Sequence, residues 1–529
     1  MPYVTISNIG SVGAIPDVPA HRLPPEAWTT VENVGFENGY AFRLLGETQV
    51  EGTPTVPPTY LFPSPSVVGS HWVYTNLANV YAVLGGVHTL ITRTLGIYTG
   101  DIDDKWTGGW LNGVLVLNNG VNDPQQWLPI DPGQRLTILA NWPVNTKARV
   151  MRVFQEFLIA LDVTESGTRF PTVLRWSHPA DPGQAPSTWD YSLATNISGR
   201  RSVGDTAGFL VDAIGVGNSL LVWKEDAVFR FDRVASNSIF SDRAISTRTG
   251  LMAIGCAKEF APGQQLALTL DADVMVTDGQ RMESVTTRRI RQRLETNISG
   301  DARSRCFVVT NPRTKTAYIC YPRVGDTHCT EAAVWNWEDN TWAFKELTPT
   351  VDIKSGLYDE SASSTTWNSD TQAWDLDVTT WNERAFVSSS ARMLGAYPLV
   401  SQIREFSRGQ KLGTTAYESR LERLGLAIAG VDRFGNPRVD FRKVKQVTAV
   451  APIIVSTNPV TMRVSVGAQD TPDGPITWDG PYNFNSDTDE YVDCFIEGKY
   501  IAVRFECSDE VSWKMEGYGL NIELVGEDF

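Results

Sequence analysis

The sequence predicts an all-β protein: an irregular β-propeller with inserted loops over residues 56–400, then a jelly-roll-like β-sandwich over 401–529, with residues 1–55 as an N-terminal extension leading into the first blade. Three observations carry this expectation. The 529 residues include 17 Trp and 16 Tyr set among 43 Gly and 29 Pro, a composition that favours strands and tight turns. Short apolar runs recur, each followed by a turn signal. Their spacing resembles that of propeller blades, which are four-stranded sheets of about 40–50 residues with apolar interior strands.

In chain order the runs are 81–84 (YAVL), 114–117 (VLVL), 157–161 (FLIAL), 219–222 (SLLV), 266–270 (LALTL) and 317–321 (AYICY), with starts 33, 43, 62, 47 and 51 residues apart. Such uneven spacing fits degenerate blades with loop insertions and leaves the blade number open. Asn112-Gly113, Asn119-Gly120 and Asp278-Gly279 suit hairpins, because these residues reach positive φ at little cost. Residues 334–347 (VWNWEDNTWAFKEL) read as two strands around a turn at 338–340, with Trp337 and Trp342 as core aromatics near its ends. Residues 350–400 are poor in apolar runs and rich in Ser, Thr and Asp, so they form either a long insertion or the last, irregular blade. Strands resume at 447–456, 460–466, 491–496, 500–505 and 518–525, enough for a small sandwich. Helices are few: 287–298 is the best candidate, and 417–426 reads as helix or strand.

The formal charge of −15 argues against a free-standing nucleic-acid binder, whose affinity comes from neutralising phosphates. The charge is patterned. Residues 392–445 hold 11 basic and 5 acidic side chains, whereas 446–529 hold 4 and 15. Such asymmetry marks a domain boundary or a surface built for a charged neighbour. No apolar run approaches the roughly 20 residues of a membrane span, and the first residues lack the basic and apolar regions of an export signal. The six cysteines (Cys256, Cys306, Cys320, Cys329, Cys494, Cys507) form no C-x-x-C pair, which points to buried free thiols in a chain made in a reducing cytoplasm.

Enzyme signatures are absent: there is no phosphate loop, nucleophile elbow, zinc helix or sialidase-type Asp box. No two of the five histidines (His21, His71, His88, His178, His328) are closer than 17 residues, except that His328 adjoins Cys329, and neighbours on a strand point to opposite faces. No catalytic residue, cofactor site or metal site is expected. One basic constellation stands out: Arg288, Arg289, Arg291 and Arg293, followed by Arg303 and Arg305. Guanidinium groups suit phosphate or carboxylate partners. Two readings stay open for it: contact with nucleic acid or an acidic neighbouring subunit, or a solvated helix face paired with Glu283, Glu295 or Asp301.

Several stretches together resemble one family. They are 111–127 (LNGVLVLNNGVNDPQQW), 175–190 (RWSHPADPGQAPSTWD), 220–231 (LLVWKEDAVFRF), 278–290 with the arginines that follow, 334–347, and 500–526 (YIAVRFECSDEVSWKMEGYGLNIELVG). In this order they are similar to tail proteins of short-tailed bacteriophages and related prophages, in particular the propeller-containing nozzle or hub that ends the tail tube. The resemblance implies a structural virion protein in the phage tail, six copies in a ring, attached below the adaptor and portal and near tail fibres or spikes. The ring would retain the genome and serve as conduit for DNA ejection, with transient contact to the double-stranded genome. It implies no catalytic residues. The alternatives are another tail part, such as an adaptor-proximal ring or fibre-docking hub, and a propeller that binds or degrades capsule polysaccharide. Under the nozzle reading Arg288, Arg289, Arg291 and Arg293 are expected at a subunit interface or the lumen.

Overall fold

The computed structural model describes residues 3–64, 71–129, 133–193, 195–234, 239–358, 391–431, 437–472 and 474–525. Among them, seven four-stranded antiparallel sheets follow one another along the chain. Blade 1 runs through Tyr60–Pro63, Trp72–Thr75, Val80–Leu84 and Val87–Leu90; blade 2 through Thr107–Leu111, Val114–Asn118, Gln125–Trp127 and Thr137–Ile138. Blade 3 comprises Thr146–Phe154, Phe157–Glu165, Thr168–Trp176 and Gly199–Ser202; blade 4 comprises Leu210–Val216, Ser219–Lys224, Val228–Arg233 and Phe240–Ser246. Blade 5 is Ala257–Ala261, Gln264–Leu268, Val274–Thr277 and Met282–Ser284; blade 6 is Phe307–Asn311, Thr316–Tyr321, Cys329–Asn336 and Thr341–Thr350. Each is an up-and-down meander, the product of hairpin turns between short strands.

The first strands of blades 2 to 7 pack side by side in sequence, and that of blade 7 packs against that of blade 1, so these strands surround a common axis. Between blades 1 and 2 the Trp110 indole donates to the Pro63 carbonyl at 2.7 Å. The apolar cores lie between blades. Tyr60, Phe62, Val73 and Ala82 of blade 1 meet Leu115, Leu117 and Trp127 of blade 2, whose opposite face puts Val114 and Val116 against Met151, Leu158 and Ala160 of blade 3. Interior strands, covered on both faces, are therefore the most apolar. The run 81–84 falls in the third strand of blade 1, and the other five fall in or overlap second strands.

Blade 7 answers the question left by residues 350–400. Its strands are Asp352–Leu357, Ala391–Tyr397 and Gln402–Phe406, and the fourth is Glu47–Val50, supplied from far upstream. Residues 359–390 lie outside the described residues. The ring is thus closed by noncovalent pairing of distant segments.

The sandwich differs from the expected 401–529 unit in one respect: the extension expected to lead into the first blade is woven into it. One sheet orders Val492–Gly498, Val444–Ser456, Trp513–Val525, Tyr40–Arg43 and Val34–Glu37, with Val4–Ser7 also beside Trp513–Val525. The other orders Thr30–Glu32, Ser419–Leu426, Tyr500–Cys507, Thr461–Gln469 and Thr477–Asn485. Alternation along Val492–Gly498, buried at every second residue, is the sign of a sheet with one face in a core. Trp28 sits between the sheets, its ring edge-on to Phe505 at 6.2 Å and 6.1 Å from Tyr518. Residues 417–426 resolve as strand, and of 287–298 only Arg291–Asn297 is helical.

Sandwich and propeller meet at the outer strand of blade 6. Asn33, at φ 57° and buried, bridges them: its amide N–H donates to the Phe344 carbonyl at 2.7 Å, its Oδ1 accepts from Glu346 N–H at 2.8 Å, and its Nδ2 donates to the Glu418 carbonyl at 2.8 Å. Asn336 Nδ2 reaches the Phe36 carbonyl at 2.9 Å, and Lys345 Nζ the Leu45 carbonyl at 2.7 Å. In the blade 6 hairpin the cross-strand aromatic pair is Trp335 with Trp342, stacked at 6.0 Å, while Trp337 in the turn packs on Phe260 at 5.2 Å.

Candidate functional site: the axial channel

The first strand of every blade starts at the same end of the axis, and at that end the segment joining blades 1 and 2 folds across the opening. Lys105, 7% exposed, precedes blade 2 yet donates from Nζ to the Ile254 and Cys306 carbonyls at 2.8 and 2.7 Å, just ahead of blades 5 and 6. Its side chain therefore spans the axis. Asp103 beside it receives Arg305 through Nε and Nη2, both at 3.0 Å, and Ser304 Oγ at 2.6 Å. The Arg305 fork holds this carboxyl below the ordinary carboxylate range. The Tyr60 hydroxyl donates to the Ile102 carbonyl at 2.7 Å and completes the closure.

Near that end lies a layer of charge on the inner strands. Asp212 of blade 4 is fully buried and accepts Arg152 of blade 3 through Nε at 2.7 Å and Nη2 at 2.8 Å. Its Oδ2 also accepts Gly255 N–H at 2.8 Å, tying blade 5 to the pair. Asp352 of blade 7, also buried, accepts Lys354 Nζ at 2.7 Å and Leu61 N–H of blade 1 at 3.0 Å. Multiple donors to each carboxylate compensate for its removal from water.

Lys258 of blade 5 is different. It is exposed, and no hydrogen bond or ion pair holds it among the described residues. Loss of hydration, reinforced by Lys354 and Arg152 and opposed by Asp352 and Asp212, pushes its pKa down to about 8.

The arginines singled out by the sequence lie elsewhere, on the connection between blades 5 and 6. Arg289 donates to the Asn340 carbonyl at 2.7 Å, and burial lowers its pKa. Arg291 stands 3.7 Å from Asp273. Arg293 pairs with Glu331 at 2.7 Å and lies 3.7 Å over the Phe344 ring. Asp17 of the sandwich accepts the amides of Gln292 and Arg293 at 2.7 and 3.2 Å, so the short helix also fastens the two modules. Arg288 alone of the four is exposed, at φ 59°, with no ion pair among the described residues. Among the described residues the carboxylates that pair with these arginines are Asp273 and Glu331, where the solvated-face reading offered Glu283, Glu295 or Asp301.

A recess of about 440 Å³ between blades 3 and 4 is lined by Gln155, Asn218, Ser219, Arg230, Asp232 and Arg233. Its guanidiniums are matched, Arg230 by Asp232 at 2.8 Å and Arg233 by Glu156 at 3.0 Å. Among the described residues no group of three or more His, Cys, Asp or Glu side chains is placed to hold a metal ion. All six cysteines are buried and unpaired. No helix of the described residues is long and apolar enough to cross a membrane.

The channel residues escaped the sequence reading because Arg152, Asp212, Lys258 and Asp352 are about 50–100 positions apart and sit in no motif. The available signal was a charged residue within an otherwise apolar first strand, as at Asp212 in LVDAIGV.

No family model matches the chain, and no curated protein does. Among solved structures it is similar to PorZ, an essential bacterial surface component of the type IX secretion system of Porphyromonas gingivalis, at 10% identity and a TM-score of 0.32. That match covers 73% of this chain and 43% of PorZ, so the chain spans less than half of that protein's length. The WD40 β-propeller domain of Doa1 matches at 10% identity and a TM-score of 0.33, covering 70% of this chain and 98% of that domain. The architecture is a seven-bladed β-propeller joined to a β-sandwich.

Proposed function

We propose that this chain is a structural virion protein of a short phage tail, one subunit of a ring-shaped nozzle that retains the genome and conducts it during ejection. The ordered stretches between 111 and 526 supply the family resemblance. The observation that carries the reading is mechanical: Asn33, Asn336, Lys345 and Asp17 bind sandwich and propeller into one body, as a load-bearing subunit requires. Because Lys105 spans the propeller's own axis, the genome in this reading runs between subunits and not through a propeller. A net charge of −15 suits a wall that must let DNA slide without gripping it.

The role is non-catalytic. Partners in this reading are further copies in a sixfold ring, the adaptor and portal above, and fibres or spikes at the side. Electron microscopy of the purified protein and of the virion tests it: a sixfold ring at the tail tip is the expected result. A strictly monomeric protein absent from the tail would overturn it, as would release of reducing ends from host capsule.

A further inference from the structure

We propose that copies of this chain meet head to tail through the sandwich, a basic strand pair of one copy docking on the acidic edge of the next. The inference rests on the ring reading above and deepens it by naming the two surfaces that join its subunits.

The basic surface is built on Ile428–Val431 and Pro437–Val439, which form a two-stranded sheet of their own and touch the sandwich through Trp513–Val525 and Val4–Ser7. Two strands supply little core by themselves. Val431, Val439 and Phe441 accordingly stand exposed, and Phe441 keeps 48% of its surface open although its ring lies 6.2 Å from that of Tyr500. Interleaved with them in the chain are Arg438, Arg442 and Lys443, none of which makes a salt bridge among the described residues. Asp440, the one acid between them, accepts the Arg442 amide at 2.9 Å.

The acidic surface is the opposite in charge. Residues 470–498 hold eight carboxylates and no Lys or Arg. They supply the outer strand of each sandwich sheet, Thr477–Asn485 in one and Val492–Gly498 in the other, and Asp479 ties the two together by accepting Phe495 N–H at 2.8 Å. Asp487, Asp489, Glu490 and Asp493 are exposed, without a salt bridge among the described residues. Among them stand Tyr491 and Phe495, the latter 63% exposed.

The two surfaces cannot satisfy each other within one chain. Lys445 pairs with Gly498 and Val450 with Val492, so the basic pair adjoins the end of Val492–Gly498 and the acids gather at its start, about 20 Å away along the strand. A second copy brings the missing half to each. Apolar side chains bordered by matching opposite charges give such a contact both buried area and a fixed register. Because the two faces differ, each copy uses both at once, and repetition closes a ring or runs on as a filament.

Sedimentation velocity of the full chain at micromolar concentration and low salt tests this. The unaltered chain should associate. Arg442→Glu with Lys443→Glu, and separately Asp489→Lys with Glu490→Lys, should each weaken association at least tenfold. An equimolar mixture of the two variants should regain it, since the reversed strand pair of one matches the reversed edge of the other and their native surfaces still match. Recovery on mixing also shows that both variants fold. A monomeric unaltered chain, variants that associate as tightly as it does, or no recovery on mixing would overturn the proposal. Closed rings indifferent to both reversals would overturn this contact and leave the ring reading standing, whereas charge-dependent open filaments would uphold the contact and count against the ring. Binding of duplex oligonucleotide lost in Arg442→Glu with Lys443→Glu, with self-association unchanged, would also overturn it, since the occupant would then be a nucleic acid.

Discussion

Glu47 and Arg404, 357 positions apart in the chain, meet at 3.4 Å in the strand pair that closes blade 7, with side chains 0% and 6% exposed. Around them, Lys345 lies near enough to oppose the upward pull of burial on the Glu47 pKa, and Thr348 Oγ1 accepts Arg404 Nη1 at 2.9 Å. Gly413, at φ 66°, donates its amide to the Glu47 carbonyl at 2.9 Å, and a Cβ there would stand 2.5 Å from the Arg404 Cζ. The closure is therefore a buried ionic junction.

Removing one partner of such a junction strands the others. Glu47→Ala leaves the Arg404 and Lys345 cations without their buried carboxylate and should cost about 3–5 kcal/mol. Urea unfolding of the full chain checks it. A loss under about 1 kcal/mol would show that the closure does not depend on this carboxylate.

The arginines between blades 5 and 6 should separate into two classes. Arg293→Ala strips Glu331, which is 7% exposed, of its partner and uncovers Phe344, so a loss of about 3 kcal/mol is expected. Arg288→Ala should change monomer stability by less than about 0.5 kcal/mol, as for an exposed side chain without partners. If Arg288 faces a neighbouring subunit, Arg288→Glu should instead lower the yield of assembled rings, measured by mass photometry.

Stability should turn over in mild alkali. Lys258, Lys345 and Lys445 are each pushed down to about 8 from 10.5, chiefly by lost hydration. Between about pH 8 and 10.5 the unfolded chain binds more protons at these sites, so stability rises with pH there. Burial pushes all six thiols above 9.0, with Cys256 and Cys494 at about 12. Above pH 9 their sign is opposite, because the unfolded thiols ionise first while the folded chain keeps its protons. Burial lowers Lys224 as well, yet six thiols outnumber four lysines, so urea unfolding should show a shallow maximum between about pH 8 and 9 and a decline by about pH 10. A steady rise to pH 10 would contradict the burial of the cysteines.

Asn33 offers a test of the seam between the modules. Asn33→Ala loses both side-chain hydrogen bonds, at Oδ1 and Nδ2, and places a Cβ-bearing, non-amide residue at φ 57°. Asn33→Gly loses the same bonds without the conformational cost. Differential scanning calorimetry should find both destabilised, with Ala worse than Gly by about 1 kcal/mol. Equal loss would mean the left-handed backbone carries no penalty here.

The fold was legible where burial imposes a composition. Interior strands such as 114–117 and 219–222 are covered on both faces, so their apolar runs mark the blades directly. Outer strands carry no such mark: Gly199–Ser202 reads GRRS and Thr477–Asn485 is mostly accessible. Nor could local pattern reveal that Glu47–Val50 completes blade 7 or that Val4–Ser7 joins the sandwich, since both depend on partners hundreds of residues downstream. The channel was illegible for the same reason. Arg152 and Asp212 gain meaning only when two inner strands lie side by side, whereas the arginines at 288–293 were conspicuous in sequence, and of them Arg289, Arg291 and Arg293 take separate partners.

The weaving of residues 4–43 into the sandwich sets a timetable for biosynthesis. Val4 pairs with Leu520, 516 positions later. At roughly 5–20 residues per second, a ribosome takes about 25–100 s to deliver that partner. Throughout this interval the apolar side chains of Val4, Ile6, Trp28, Val31 and Phe36 have emerged without the sheets that will cover them. Assembly of the sandwich therefore waits until Trp513–Val525 has been made, and nascent chains of this protein should depend on holding chaperones until that strand emerges.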